Sequence, residues 1–414
     1  MQIKECDFLD FYNSRRFNAN CFNDDGTINK RYNSQKVTGT IAQIFEDHWN
    51  DYYEANKDVI LAHRPNADKE IHKIIDCYNK DLGCSVYECP NCNDIVFIGH
   101  TCKSRLCSSC GYKYKNQRVN SILQTAYNCK HRQIVFTIPQ QLRKYFFSPF
   151  EDRIDILFKA VRNTIYSILN CSFKKCKNGK LKKYFSKIKY MPGFFSFLHT
   201  FGRDLKWNPH IHVLIAELKI GNDTICKNWN YFDFDALSLR FQKILLDLLS
   251  KELGKSFNET KTFLFKTYKK GFYVYAEAKK FKDLKSGIEY IARYCGRVPI
   301  SENRIVNYDG NNVTFEYIDH KDNSKHSLTV SAFEFIAMLV RHLIPNNFKI
   351  IRYYGFYRRK VAIHEKMIHI IKTHVRKFKD ELTKFRNSIC INFNRDPYDC
   401  PKCGTRLLYS VFLN

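Results

Sequence analysis

The chain has 414 residues, and 44% of them are hydrophobic, which is enough for two or three domains with their own cores. Lysine and arginine outnumber acidic residues by 68 to 41; the net charge of +27 favours a polyanionic partner, although a lysine-rich proteome alone would also raise it. The sequence has no run of about 18 apolar residues and no apolar leader, so we expect a cytoplasmic protein without a membrane span.

The predicted elements mix helices and strands. Residues 1–80 are predicted to be mainly helical and polar, and residues 84–111 are rich in cysteine and lack helical periodicity. Strands are then predicted at 132–138, 194–200, 210–216 and 271–276, helices at 150–172, 234–253 and 284–295, a lysine-rich loop at 174–189 and a hairpin at 313–331. The remainder is basic and is predicted to be mainly helical.

Two Cys-x-x-Cys turns lie close together in the cysteine-rich part. Cys89 and Cys92 form the first turn, and Cys107 and Cys110 form the second. One such turn brings two thiolates to one ion, and two turns complete a tetrahedral zinc site. We therefore predict structural Zn²⁺ on these four cysteines, because buried free cysteines would not explain two matched turns.

Other cysteines leave the ligand set open. Cys102 lies between the two turns and can replace one of the four ligands or share a second ion, and Cys77 lies a short distance upstream. Cys400 and Cys403 form a third turn that has the sequence of half a zinc site, without a fourth ligand nearby. We treat all four as possible additional ligands.

A pair of histidines marks the second candidate site. His210 and His212 are separated by one residue in an apolar run, and side chains at i and i+2 of a strand point to the same face. Most His-x-His triplets are incidental. Here, however, His199 ends the preceding apolar run, and antiparallel pairing would bring it to the same face as a third ligand of one ion.

A pair of tyrosines follows downstream. Tyr290 and Tyr294 are four residues apart, which places them on one face of a helix, where they are either nucleophiles or core residues. Arg293 and Arg297 can pair with phosphate oxygens. A tyrosine hydroxyl has a pKa near 10, so at neutral pH it needs help from a metal-polarised phosphate to act as a nucleophile.

The segment 349–360 alternates cations with aromatic residues. Arg352, Tyr353 and Tyr354 lie within it. Cations that hold phosphates beside rings that stack on bases are typical of single-stranded nucleic-acid binding. A buried aromatic strand or helix with a basic rim would explain the same residues equally well.

The order of these motifs resembles the rolling-circle transposases of insertion-sequence family ninety-one. The resemblance runs from about residue 60 to the last cysteine pair. It is carried by the cysteine turns, Phe136-Thr-Ile-Pro139, Leu198-His-Thr-Phe-Gly202, Asn208-Pro-His-Ile-His212, Tyr290-Ile-Ala-Arg-Tyr294 with Arg297, and Arg352-Tyr-Tyr-Gly-Phe356.

This resemblance implies a HUH nuclease, named after its His-hydrophobic-His triplet. By that match His210 and His212 hold Mg²⁺ or Mn²⁺, with His199 as third ligand, and Tyr290 and Tyr294 are the nucleophiles of a two-tyrosine enzyme. It also implies an α+β fold with an antiparallel sheet flanked by helices. The partners would be single-stranded, hairpin-containing DNA at the element ends and a target DNA.

We therefore predict three parts. Residues 1–128 form a helical and zinc-ribbon-like domain, residues 129–330 a HUH nuclease domain, and residues 331–414 a basic, mainly helical segment. The predicted function is a transposase that nicks and rejoins single-stranded DNA through a 5′-phosphotyrosine. A HUH replication initiator or relaxase, or a non-enzymatic zinc-dependent DNA-binding regulator, is the alternative.

Overall fold

The computed structural model describes most of the chain. The described ranges are 40–77, 84–99, 101–175 with gaps between 109 and 128, 181–185, 189–221, 226–229, 232–275, 298–319, 322–358 and, apart from 397 and 401, 396–413. Tyr290, Arg293, Tyr294 and Arg297 lie outside the described residues, as does the helix predicted over 284–295.

Helices and strands are both abundant, as the sequence predicts. The helices are α1 Thr40–His63, α2 Ala67–Ile75, α3 Gln140–Arg143, α4 Phe150–Asn170, α5 Phe234–Leu253, α6 Asn258–Thr267 and α7 Ala332–Val340. The strands are β1 Cys84–Glu88, β2 Ile95–Gly99, β3 His131–Thr137, β4 Cys171–Lys175, β5 Leu181–Phe185, β6 Tyr190–Phe201, β7 Trp207–Gly221, β8 Cys226–Asn228, β9 Val274–Tyr275, β10 Ile305–Tyr308, β11 Asn312–Ile318, β12 Lys325–Ser331, β13 Ile351–Gly355 and β14 Leu408–Leu413.

The central element is an antiparallel sheet. Its strand order is β13-β6-β7-β3-β9, and β8 pairs with the distal part of β7. Strands β6 and β7 form the long hairpin that the two apolar runs predict. With the flanking helices, this sheet confirms the α+β class.

Helices α4 and α5 cover one face of this sheet. Their apolar residues pack with alternate residues of the strands, such as Phe136 and Ile211, in the largest hydrophobic core. Helix α5 begins where the Asp233 carboxylate accepts a hydrogen bond from the Ala236 amide, and it ends at Gly254, whose positive φ stops the helix. Part of the other face is covered by a third core, in which Phe197 and Leu214 pack with Tyr127 and Tyr357. The histidines lie farther along this same face.

A second core lies beside the sheet. Helices α1, α2 and α7 pack with the β10–β12 meander, and the buried Cys102, Cys110 and Leu205 join this core. Strand β14 pairs with β1, and β1 pairs with β2, to give a separate three-stranded sheet. None of the helices in the described ranges is both long and apolar enough to cross a lipid bilayer.

Two sequence expectations need correction. The segment 174–189, predicted as a loop, contributes to a two-stranded sheet of β4 and β5. The range 331–414 contributes α7 to the second core, β13 to the central sheet and β14 to the sheet with β1. Strand pairing across long sequence distances, which sequence periodicity does not reveal, distributes this range over three parts of the fold.

Candidate catalytic metal centre and zinc sites

The β6–β7 hairpin brings three histidines together. His199 lies directly opposite His210 in the strand register, and His212 follows two residues later on the same face. One nitrogen of each ring lies within 4.8 Å of those of the other two rings. His199 and His212 are buried, at 6% and 7% exposure, while His210 is half-buried. The predicted third ligand thus lies beside the predicted pair.

Neighbouring groups orient two of the rings. Nδ1 of His210 lies 2.6 Å from the backbone oxygen of Asn208, so its N–H donates there and Nε2 remains for a cation. The amide Nε2 of Gln133, on β3, lies 2.9 Å from Nδ1 of His212, and Oε1 of Gln133 is buried without a hydrogen-bond partner. A half-turn of this amide would let Oε1 accept from Nδ1–H and would leave Nε2 of His212 for a cation.

This donor set fits a divalent ion. Three neutral imidazoles from one sheet face hold an ion from one side and leave coordination positions for oxygen ligands such as phosphate. The rings are close enough to share an ion, with centroids 4.5–5.3 Å apart. The arrangement can therefore polarise a phosphodiester placed against the open side.

The cysteine-rich loop reaches the histidine site. A cavity of about 80 Å³ beside His199 is lined by Ser104 and Arg105 from this loop and by Pro299 and His342 from later segments. Burial lowers the pKa of Arg105, but its guanidinium stays charged because its ordinary value is far above neutral pH. The loop therefore places Arg105 in the lining of the same cavity as His199, together with the carboxylate of Glu70.

Two exposed tyrosines lie on the same sheet face. Val135 of β3 pairs with His212 on one side and with Tyr275 of β9 on the other, so Tyr275 is two strands away from the histidines. Tyr273 and Tyr275 stack with centroids 6.0 Å apart, and they are 61% and 48% exposed. No motif in the sequence singles out Gln133, and the alternation of tyrosines around Val274 is the one signal that points to Tyr273 and Tyr275.

Arg352 and its neighbours are already engaged within the protein. Arg352 pairs with Asp155 of α4 and lies 4.0 Å from the ring centroid of Phe158. Tyr354 stacks on the core residue Phe194. Arg352 and Tyr354 thus face the helices, on the side of the sheet opposite the histidines, and only Tyr353 shares the histidine face.

The predicted four-cysteine set is divided between two clusters, which corrects that assignment. The sulfurs within each cluster lie within 4.8 Å of one another. The first cluster contains Cys77, Cys102, Cys107 and Cys110, and the second contains Cys89, Cys92, Cys400 and Cys403. The reason is topological, because β1–β2 points Cys89 and Cys92 toward the segment before β14 and away from the loop that carries Cys107.

The sulfurs of the first cluster are in mutual contact. Cys110 lies 3.4 Å from Cys102 and 3.7 Å from Cys77, and Cys107 lies 3.9 Å from Cys77. The contact with Cys102 is the main cause that lowers the pKa of Cys110, and contacts with the other thiols of the cluster raise the pKa of Cys102. Tetrahedral thiolate coordination at about 2.3 Å requires sulfurs about 3.8 Å apart, so this cluster fits zinc.

Comparison with known proteins gives two family matches and two curated relatives. Residues 193–364 match a family described as "Putative transposase", and residues 44–138 match the "Transposase zinc-binding domain". The chain is 26% identical to the transposase for insertion sequence element IS801 of Pseudomonas savastanoi pv. phaseolicola, over 83% of each chain. It is 25% identical to the "Putative transposase y4qJ" of Sinorhizobium fredii (strain NBRC 101917 / NGR234), over 76% of this chain and 79% of the relative. No solved structure matches.

The fold, the histidine cluster and these matches define a class: a transposase, and hence a DNA-cleaving enzyme, with its own zinc-binding domain. Its partner is DNA. The zinc-binding match and the cysteine clusters together support structural Zn²⁺. Within this class, the chain is similar to the transposases of insertion-sequence family ninety-one, to whose zinc-binding domain residues 44–138 correspond.

Proposed function

We propose that this transposase nicks and rejoins single-stranded DNA at the ends of its mobile element through a 5′-phosphotyrosine. The observation that carries the proposal is the cluster of His199, His210 and His212 on one face of the central sheet. A bound Mg²⁺ or Mn²⁺ would polarise the scissile phosphate and stabilise charge on its oxygens.

The protein supplies an ordered setting for this chemistry. His199 and His212 are buried, so their rings lose little orientational freedom when they bind a cation. The contacts of His210 with Asn208 and of His212 with Gln133 fix the ring orientations. Ligands held in this way favour one position of the phosphate over others.

We propose Tyr290 and Tyr294 as the nucleophiles. The phenolic oxygen attacks phosphorus and loses its proton, the bond from phosphorus to the 3′ oxygen of the upstream nucleotide breaks, and that oxygen leaves as a 3′-OH. The downstream strand stays attached to tyrosine through its 5′ phosphate. Rejoining reverses these steps with another 3′-OH, and a second tyrosine permits a second cut while the first link persists.

The ends of the segment that carries the tyrosines support this assignment. Tyr275 precedes the segment and lies two strands from His212, which corresponds to about 10 Å at the usual strand spacing. Pro299 follows the segment and lines the cavity beside His199. The two residues that flank the segment in the described part of the chain thus lie near the histidines.

Nearby residues suit single-stranded DNA. The exposed, stacked Tyr273 and Tyr275 offer rings for bases on the same sheet face as the histidines. Sequence reasoning assigned this role to Arg352 and Tyr354, but these side chains contact α4 and the core. We therefore expect Tyr273 and Tyr275 to contribute more to DNA binding than Arg352 and Tyr354.

The test is a covalent-adduct assay. The protein is incubated with single-stranded DNA from the element ends, labelled at the 5′ or the 3′ terminus, with Mg²⁺ or Mn²⁺, and is resolved on a denaturing protein gel. We expect an adduct that carries only the 3′ label, requires the metal and disappears when Tyr290 and Tyr294 are both changed to Phe.

Two further variants separate the possible outcomes. His210→Ala should abolish the adduct while leaving DNA binding, and Tyr273→Ala should weaken DNA binding without removing metal dependence. Binding of the true ends without any adduct would refute the phosphotyrosine mechanism. If the protein forms the adduct but does not join the DNA to a new target, the result would instead favour a replication initiator or relaxase.

A further inference from the structure

The second cysteine cluster joins parts of the chain that are far apart in sequence. The sulfurs of Cys89 and Cys403 are 3.5 Å apart, and those of Cys92 and Cys400 are 3.6 Å apart and separated by 308 positions. These distances exceed a disulfide bond and are close to the roughly 3.8 Å that tetrahedral zinc–thiolate coordination requires. Cys400 and Cys403 lie outside both stretches that match the transposase families.

The two halves of this cluster have the same local structure. Each has the sequence Cys-Pro-x-Cys and is followed by a residue with positive φ, Asn93 at 57° and Gly404 at 74°. In each turn the backbone amide of that residue donates to the carbonyl of the first cysteine, Asn93 to Cys89 and Gly404 to Cys400. Both turns are therefore built as zinc knuckles, and each supplies two thiolates to a common centre.

Few side-chain contacts join these turns among the described residues. The buried apolar cluster there consists of Cys89, Cys400 and Leu407, with the partly buried Tyr87 packed against it and against the ring of Tyr398. One ion pair, Lys402 to Asp94 at 2.7 Å, crosses between the turns, and it is largely exposed on the lysine side. An ion pair with one exposed partner contributes on the order of 1 kcal/mol, so an ion bound by both turns would add substantially to the backbone pairing of β14 with β1.

The clusters differ in their access to solvent. Cys92 and Cys403 are exposed, whereas Cys77, Cys102 and Cys110 of the first cluster are buried. An ion on the second cluster can be reached by a chelator without opening the protein core. In the first cluster only Cys107 is partly exposed, so an ion there would be shielded by the core of α1, α2 and α7 and would be harder for a chelator to reach.

We propose that Cys89, Cys92, Cys400 and Cys403 form a second zinc site, and that its exchangeable ion locks β14 onto the zinc-binding domain. The full chain would then hold two zinc ions of different lability. Loss of the accessible ion would release β14 from β1 and leave the first zinc site and the nuclease sheet folded. This proposal is independent of the phosphotyrosine mechanism.

Zinc stoichiometry is the first test. We expect two zinc ions per wild-type chain by elemental analysis and native mass spectrometry, and one in Cys403→Ser, in which only an exposed ligand is changed. Cys403→His, which keeps a zinc ligand, should retain two ions. Cys129→Ser, outside both clusters, should also retain two. One ion in the wild type, or two in Cys403→Ser, would overturn the proposal.

The second test follows the strand. A chromogenic chelator added to the native wild type should remove one ion rapidly and the other at least tenfold more slowly. Hydrogen exchange at 408–413 and 84–88 should rise after the fast phase and match that of Cys403→Ser, while exchange in β6 and β7 stays unchanged. A single phase of zinc release, or unaltered hydrogen exchange at 408–413, would refute the proposal that the accessible ion holds β14 on β1.

Discussion

Acidification should destabilise the protein through His342. This side chain is 4% exposed and lies flat against Trp207, with ring centroids 5.9 Å apart. Its Nε2 lies 2.9 Å from the backbone oxygen of Leu205, and its Nδ1 lies 3.1 Å from the hydroxyl of Thr200. Nε2–H thus donates and Nδ1 accepts, which is the neutral form of the ring.

Burial is the main cause that lowers the pKa of His342 from 6.5 to about 3. Because the folded pKa is below the unfolded pKa, the folded state binds fewer protons, and its stability falls as the pH drops below 6.5. The loss is about 1.4 kcal/mol per pH unit, so moving from pH 7 to pH 5 should cost about 2 kcal/mol.

The assay is urea unfolding of wild type and His342→Gln at pH 7 and pH 5. Glutamine can still donate to the Leu205 oxygen but does not titrate. At pH 7 the variant should be less stable, and at pH 5 this gap should shrink by about 2 kcal/mol. Effects shared by both proteins, such as zinc loss in acid, cancel in the difference. A gap that does not change with pH would show that His342 is not held neutral by burial.

Two further substitutions test how the sheet and the metal site are built. Gly355→Ala would force a Cβ into the backbone oxygen of Pro192 at a φ of +60°, whereas Gly254→Ala at +68° meets no atom within 4 Å. We expect the Gly254 variant to lose about 1–3 kcal/mol from strain and the Gly355 variant to lose about 1–3 kcal/mol more in thermal unfolding; equal losses would contradict the packing of β13 on β6. Gln133→Leu should raise the Mn²⁺ concentration for half-maximal adduct about 10–100-fold by releasing His212, and an unchanged metal dependence would exclude this positioning role.

Much of the candidate site follows from local rules. Strand alternation places His210 and His212 on one face, and a hairpin of the observed length brings His199 opposite His210. Helix periodicity predicts α4 and α5 because each has a continuous apolar stripe. These features involve neighbours in sequence or a single hairpin, so the sequence contains enough information to place them.

Local rules do not determine which side of the sheet each set of alternating side chains occupies. Alternation indicates that Arg352 and Tyr354 share a face, but not which layer covers it. Packing of α4 against β13 decides this, and it turns Arg352 toward Asp155 rather than toward DNA. Gln133 was missed for the same reason, because its role depends on the pairing of β3 with β7.

The sequence by itself determined that this chain binds metal with cysteine turns and carries a histidine pair on a strand. A Cys-x-x-Cys turn fixes two ligands through its own backbone, and the spacing of His210 and His212 fixes their common face. Only the tertiary structure decided which turns share an ion. Sequence proximity favoured Cys107 and Cys110 as partners of Cys89, but the pairing of β14 with β1 brings Cys400 there instead, across 308 positions from Cys92.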